Sequence, residues 1–137
     1  MAAEDSIRIA STEPGVELEL AWGDERTVHV TIRDKGLLAE ADVWWNDYME
    51  EPDSLVMLFE DLAASWKGWT DTKEWRSAES PLLLSCAHDG LGHIGIDVEL
   101  RSGWYENAWR VRARIMLDAG ALDQVASDLR AFLVSGS

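Results

Sequence analysis

Three successive segments near the N-terminus alternate apolar and polar residues with a period of two. No other feature constrains the fold as strongly. In VELELAW, residues 16–22, Val16, Leu18, Leu20 and Trp22 fall on one side and Glu17 and Glu19 on the other. In TVHVTIR, residues 27–33, Val28, Val30 and Ile32 share a side and His29 takes the opposite one. In LLAEADVWW, residues 37–45, the shared side holds Leu37, Ala39, Ala41, Val43 and Trp45. Successive side chains of a strand point to opposite faces, so each segment reads as a half-buried β-strand. Gly23-Asp24-Glu25 and Asp34-Lys35-Gly36 separate them as turns. Short turns between strands imply an antiparallel meander. A two-residue loop at Lys35-Gly36 sets Ile32 against Ala39, Val30 against Ala41 and Val28 against Val43. Apolar then meets apolar throughout, and His29 falls opposite Asp42 on the outer face.

The period changes at residues 53–67, where Leu55, Leu58, Phe59, Leu62 and Trp66 follow helical spacing. Asp53 suits the N-cap and Gly68 the C-terminal stop. A polar connection follows, with a short strand expected at 74–77. Alternation returns at 82–87, at 93–101 and at 108–117, where Trp109, Val111, Ala113, Ile115 and Leu117 are expected inward. A second helix is expected over 118–134, capped by Asp118, with a stripe of Leu122, Val125, Ala126, Leu129, Phe132 and Leu133. The fold expected is therefore α+β: a single domain over 1–137, an antiparallel meander of seven or eight strands, and two helices packed on it.

Hydrophobic residues make up 47% of the 137, enough to bury a real core. No apolar run approaches the roughly 18 residues that span a membrane. The start, MAAEDSIRIA, has no basic cluster and no long apolar segment, so no secretion signal is expected. The single cysteine, Cys86, excludes an internal disulfide and fits a reducing cytoplasm. Its apolar surroundings mark it as a small buried hydrophobe. The net charge of −14 repels phosphate backbones, so nucleic acid is not an expected partner, whereas a basic protein is. Most of the eight tryptophans must build the core, and any left outside mark a contact surface.

One loop looks like chemistry. HDGLGH, residues 88–93, offers His88, Asp89 and His93 as a loop site. Apolar matching of its flanking strands demands that paired residue numbers sum to an even value. His88 and His93 sum to an odd one, so they do not face each other. Gly90 and Gly92 have a sufficient reason as turn residues. No metal or cofactor is expected there. The arginines at 110, 112 and 114 share the outer face with Asp97 and Glu99 on the neighbouring strand, which predicts cross-strand ion pairs. Trp44 falls outside the inward parity. With Asp47, Tyr48, Glu50 and Glu51 it forms an aromatic, acidic candidate for contact with a protein partner, unless the 46–52 segment folds over it.

Across residues 59–101, the elements Trp66, Gly68-Trp69, Trp75, Ser77, Glu79, His88-Asp89-Gly90 and Gly92-His93 resemble an uncharacterised family of short actinobacterial proteins of unknown function. That resemblance implies no catalytic residue. Small, acidic, tryptophan-rich α+β proteins of this kind are also similar to immunity proteins of bacterial toxin systems. Two functional classes follow. The first is a cytoplasmic, non-enzymatic protein-binding module of immunity type. The second is a small enzyme or ligand-binding domain with a tryptophan-lined pocket near HDGLGH. A homodimer is compatible with either.

Overall fold

The computed structural model describes residues 6–12, 15–23, 27–45, 51–77, 81–103 and 105–135. The strands are β1 (Ser6–Ala10), β2 (Glu17–Trp22), β3 (Thr27–Asp34), β4 (Leu37–Trp44), β5 (Lys73–Arg76), β6 (Leu82–His88), β7 (His93–Arg101) and β8 (Arg110–Asp118). Helix α1 (Glu51–Ala64) follows β4. A 3-10 turn, Ala119–Ala121, leads from β8 into α2 (Leu122–Ser135). The strands divide into two four-stranded antiparallel sheets, ordered β1-β2-β3-β4 and β5-β6-β7-β8. Each half of the chain is thus a meander followed by one 14-residue helix.

The register of the third and fourth strands is the one that apolar matching demands. Val28 pairs with Val43, Val30 with Ala41, Ile32 with Ala39 and Asp34 with Leu37. Gly36 supplies the positive φ, 70°, that the two-residue turn needs. In the second sheet Leu84 pairs with Val98 and Cys86 with Ile96. On the shared inner side, Leu20, Val28, Val43, Cys86, Ile94 and Leu100 are at most 1% exposed. The two helices pack against each other. Their stripes, Leu55, Phe59 and Leu62 from α1 and Leu122, Leu129, Phe132 and Leu133 from α2, enter the same core.

Two contacts tie the halves together. Trp22 at the end of β2 stacks on Phe132 of α2 at 5.4 Å, and its Nε1–H donates to the Phe132 carbonyl at 3.0 Å. Trp45, immediately after β4, packs on Trp75 of β5 at 5.6 Å. At the sheet edges Thr12 N–H donates to the Met116 carbonyl at 2.8 Å, and Met116 N–H donates to Ser11 Oγ at 2.9 Å. These bonds satisfy backbone groups on β8 that would otherwise form an open edge.

Several expectations need correction. The chain has an additional strand, β1, whose Ile7 and Ile9 face the core. Helix α1 begins at Glu51, so Asp53 lies inside it and does not cap it. The helix also ends at Ala64, which places Trp66 beyond it, 53% exposed, instead of on its apolar stripe. Gly68, with φ 142°, does lie at the close of the turn that follows. Asp118 precedes the 3-10 turn without a side-chain capping bond. Trp109 lies before β8 starts and is 43% exposed, because strand parity does not extend past the last pair, Arg101 with Arg110.

Phe132 is fully buried and joins the two halves. Truncating it to alanine should cost about 3–5 kcal/mol of unfolding free energy. Urea unfolding followed by tryptophan fluorescence measures this. A loss below about 1 kcal/mol would show that the interlock is not part of the core.

Candidate functional site

The HDGLGH loop is stitched from within. The Asp89 carboxylate accepts from Leu91 N–H at 2.6 Å and His93 N–H at 3.1 Å, and its second oxygen bonds His93 Nδ1 at 2.8 Å. These donors, Leu91 N–H foremost, hold the Asp89 carboxyl below its ordinary range. Gly90 and Gly92 take φ of 81° and 90°.

His88 makes a separate set of contacts. Its Nδ1 accepts from Gly90 N–H at 2.8 Å, so Nδ1 carries no proton. Its Nε2–H then donates to the Trp66 carbonyl at 2.9 Å. Both imidazole nitrogens are therefore occupied. Its ring meets Trp69 edge-on at 5.2 Å, and Trp69 Nε1–H donates to the Cys86 carbonyl at 3.2 Å. The Gly92 carbonyl accepts from Ala119 N–H at 2.8 Å, at the start of the turn into α2. WKGW and HDGLGH thus form one clasp where the end of α1, the β6–β7 hairpin and the entry to α2 meet. His88 and His93 do not converge, and His88 pairs with Ile94 across the ladder. Among the described residues no group of three or more His, Cys, Asp or Glu could hold a metal ion. The Cys86 thiol is pushed up to about 12, by burial first and by Asp97 second, so it is not a nucleophile at neutral pH.

A groove of about 700 Å³ lies on the outside of the second sheet. Two cross-strand rows line it. One runs Glu74–Ser85–Asp97–Arg114 and the other Arg76–Leu83–Glu99–Arg112. The row between them, Trp75–Leu84–Val98–Ala113, turns inward by alternation. Arg114 grips Asp97 through Nε at 2.8 Å and Nη2 at 3.1 Å. Glu99, only 8% exposed, accepts from Arg101 Nε at 2.6 Å and Arg112 Nε at 2.9 Å. The Arg114 contact first, and Arg112 further off, lowers the Asp97 carboxyl. For Glu99 burial pushes upward most strongly, yet Arg112 and Arg101 together leave it below its ordinary range. The expected arginine–carboxylate pairing is present for Arg112 and Arg114, whereas Arg110 lies opposite Arg101, and the groove was not foreseen. None of His88, Asp89 and His93 lines it.

Trp44 is 43% exposed at the outer edge of the first sheet. Asp47, Tyr48 and Glu50 lie outside the described residues, and Glu51 is the first residue of α1. On the same face His29 bridges two carboxylates, Asp42 through Nδ1 at 2.8 Å and Glu40 through Nε2 at 2.7 Å. Only Asp42 is visible in the register, because Glu40 sits opposite Thr31 and reaches His29 diagonally. The Asp42 bond first, then the Glu40 bond, raises the His29 pKa, since both ring nitrogens face acceptors.

A family model matches residues 10–136 and is described as a family of unknown function, DUF6228. The chain belongs to this family. No curated protein and no solved structure matches it. The match runs from the last residue of β1 through α2, so β2 to β8 and both helices lie within it.

Two predictions test these assignments. Gly68 has a left-handed φ, and a Cβ there would sit 3.6 Å from the His88 ring. Gly68→Ala should therefore cost more than about 1 kcal/mol. Gly120→Ala, at a position with nothing within 4 Å, should change stability by less than that. Equal effects in denaturant titration would refute the clasp. For His29 the folded pKa lies above the unfolded value of about 6.5. Its contribution is full below that value and disappears as pH rises through the folded pKa. His29→Gln should thus be most destabilising below the unfolded pKa, with the difference from wild type fading as pH rises through the raised folded pKa. A difference independent of pH, measured by urea unfolding, would contradict the bridge.

Proposed function

We propose that this protein is a non-catalytic binding module whose partner is a basic protein, acting by occlusion as an immunity protein does. The observation that carries this reading is Trp44. It projects from an edge strand of the first sheet, on the same outward side as Glu40 and Asp42. An exposed indole beside carboxylates is complementary to lysine and arginine, through charge at long range and through cation–π contact on docking. On the same face Arg33 bonds Glu17 and Glu19 at 2.8 and 2.7 Å, so its charge is already neutralised from within. The total charge of −14 adds long-range attraction for a cation.

The histidine chemistry supports the same reading. Among the described residues the hydrogen bonds of His29, His88 and His93 go to carboxylates or backbone groups, none to a hydroxyl or thiol. No nucleophile–base pair of the kind used in acyl transfer is assembled by them. Among the described residues no helix is long and apolar enough to cross a membrane. A cytoplasmic setting, with the single thiol buried in the core, accords with the proposal.

Capture with the full chain from its host should recover a cationic protein. Trp44→Ala should weaken that complex by about 2 kcal/mol, near thirtyfold, as truncation of an aromatic anchor does. Raising salt from 50 to 500 mM should weaken it further. Titration calorimetry with the captured protein reads both effects. An affinity unchanged by the substitution and by salt would overturn the proposal.

A further inference from the structure

We propose that the groove on the second sheet is a binding site for an organic molecule carrying an oxyanion, a carboxylate or a phosphate, on an apolar or aromatic body. The inference is independent of the protein-binding reading, because it concerns the opposite half of the chain.

The argument turns on which charged groups in the groove are already engaged. Both oxygens of Asp97 are held by Arg114. Both oxygens of Glu99 are held by Arg101 and Arg112. Each of these carboxylates is already charge-paired with arginine. They act as anchors that fix the arginines. Arg112 uses only Nε for Glu99, and its side chain is 79% exposed. Its two Nη atoms bond no described residue. They form the outer edge of a guanidinium whose inner edge is pinned, which is the arrangement suited to two parallel bonds to an oxyanion. Arg76, at the far end of the same row, makes no ion pair with any described residue. Three strand spacings separate the two arginines, about 14 Å. Leu83 lies between them as an apolar floor, with Ser85 beside it in the neighbouring row. Glu74, on the rim, is the carboxylate whose bonding is weakest, a 3.4 Å contact from Thr72. It tempers the positive field at the Arg76 end and leaves the Arg112 end as the stronger oxyanion position.

Location within the molecule adds a second argument. Six of the chain's twelve basic residues, Lys73, Arg76, Arg101, Arg110, Arg112 and Arg114, lie on the strands of this one sheet. In a protein of net charge −14 the groove is locally balanced, with Arg76, Arg112 and Arg114 against Glu74, Asp97 and Glu99. Long-range repulsion would slow an anion's approach, so short-range, geometrically matched contacts must supply the affinity. That requirement favours a ligand whose body also covers Leu83 over a bare ion.

The test uses the full chain and three probes: phenyl phosphate, inorganic phosphate and phenol. Amide resonances are followed during titration. Phenyl phosphate should shift the amides of Leu83, Ser85, Asp97, Glu99 and Ala113 saturably, and neither inorganic phosphate nor phenol should match its affinity. Arg112→Gln should weaken phenyl phosphate at least about tenfold, the scale of one lost charge-assisted contact. Arg112→Lys, which keeps the charge but loses the fork, should recover only part of it. Arg130→Gln, on the exposed side of α2, should leave it unchanged. An unaltered spectrum of free Arg112→Gln would show that the fold survives. The proposal fails if no saturable shift occurs, if inorganic phosphate or phenol binds as tightly, or if Arg130→Gln weakens binding as much as Arg112→Gln.

Discussion

Every strand of this molecule has one face in a core shared by both sheets and both helices, and its other face outside. All else follows from that constraint. A strand's side chains alternate, so a slip of one residue would expose the whole inner set, and apolar matching therefore fixes register firmly. Register, once fixed for the core's sake, also decides which polar residues stand in line outside. Leu84 meets Val98 and Ala113 because the core requires it. The rows flanking them, Glu74 to Arg114 and Arg76 to Arg112, are consequences of the same alignment. The groove's chemistry is thus positioned by residues that never touch it.

The two halves share an element order and differ in their outer faces. On the first sheet the bridging group is an imidazole between two carboxylates, His29 with Glu40 and Asp42. On the second the bridging groups are carboxylates between arginines, Glu99 with Arg101 and Arg112. The polarity is inverted. In the first case the cation is enclosed and acidic oxygen remains outward. In the second the anion is enclosed, and guanidinium nitrogen remains outward. Exposed ion pairs of this kind contribute little to stability, with a median near 0–1 kcal/mol. Their more consequential effect is orientation, because a pinned side chain loses less freedom when it meets a ligand. The same scaffold therefore presents two faces of opposite character.

How much of this could be read from the chain follows from how local each signal is. The β3–β4 register was legible because the two-residue turn and the apolar pattern are both local, and each independently specifies it. The even-sum rule placed His88 out of line with His93 for the same reason. Strand β1 was missed because SIRIA offers only Ile7 and Ile9 as inward residues, too few to establish a period. The division into two sheets has no local signature, since alternation looks the same wherever a sheet ends. Trp66 and Trp109 were misplaced by extending a periodicity one turn or one residue past its element. The groove depends on four strands coming side by side, which no single segment's pattern encodes. Only its ingredients, the alternating arginines and their acidic neighbours, were visible.

The HDGLGH loop shows why proximity in sequence misleads about chemistry. Its groups are densely bonded, which is what a catalytic loop would also display. The difference lies in where the bonds end. His88 finishes on the Trp66 carbonyl, Asp89 on its own loop's amides, and Gly92 on the first amide of the turn into α2. These bonds close on backbone and leave His88 fully engaged, while Asp89 also holds His93 Nδ1 at 2.8 Å and His93 Nε2 lies 4.0 Å from Asp118. A reacting group must keep at least one nitrogen or oxygen available to substrate. By that criterion His88 belongs to the scaffold, and Arg112, with two nitrogens outward and one anchored, is the better candidate for recognition. Function in this chain is therefore better sought on the outer faces of the sheets, with the tryptophan–histidine clasp keeping those faces in place.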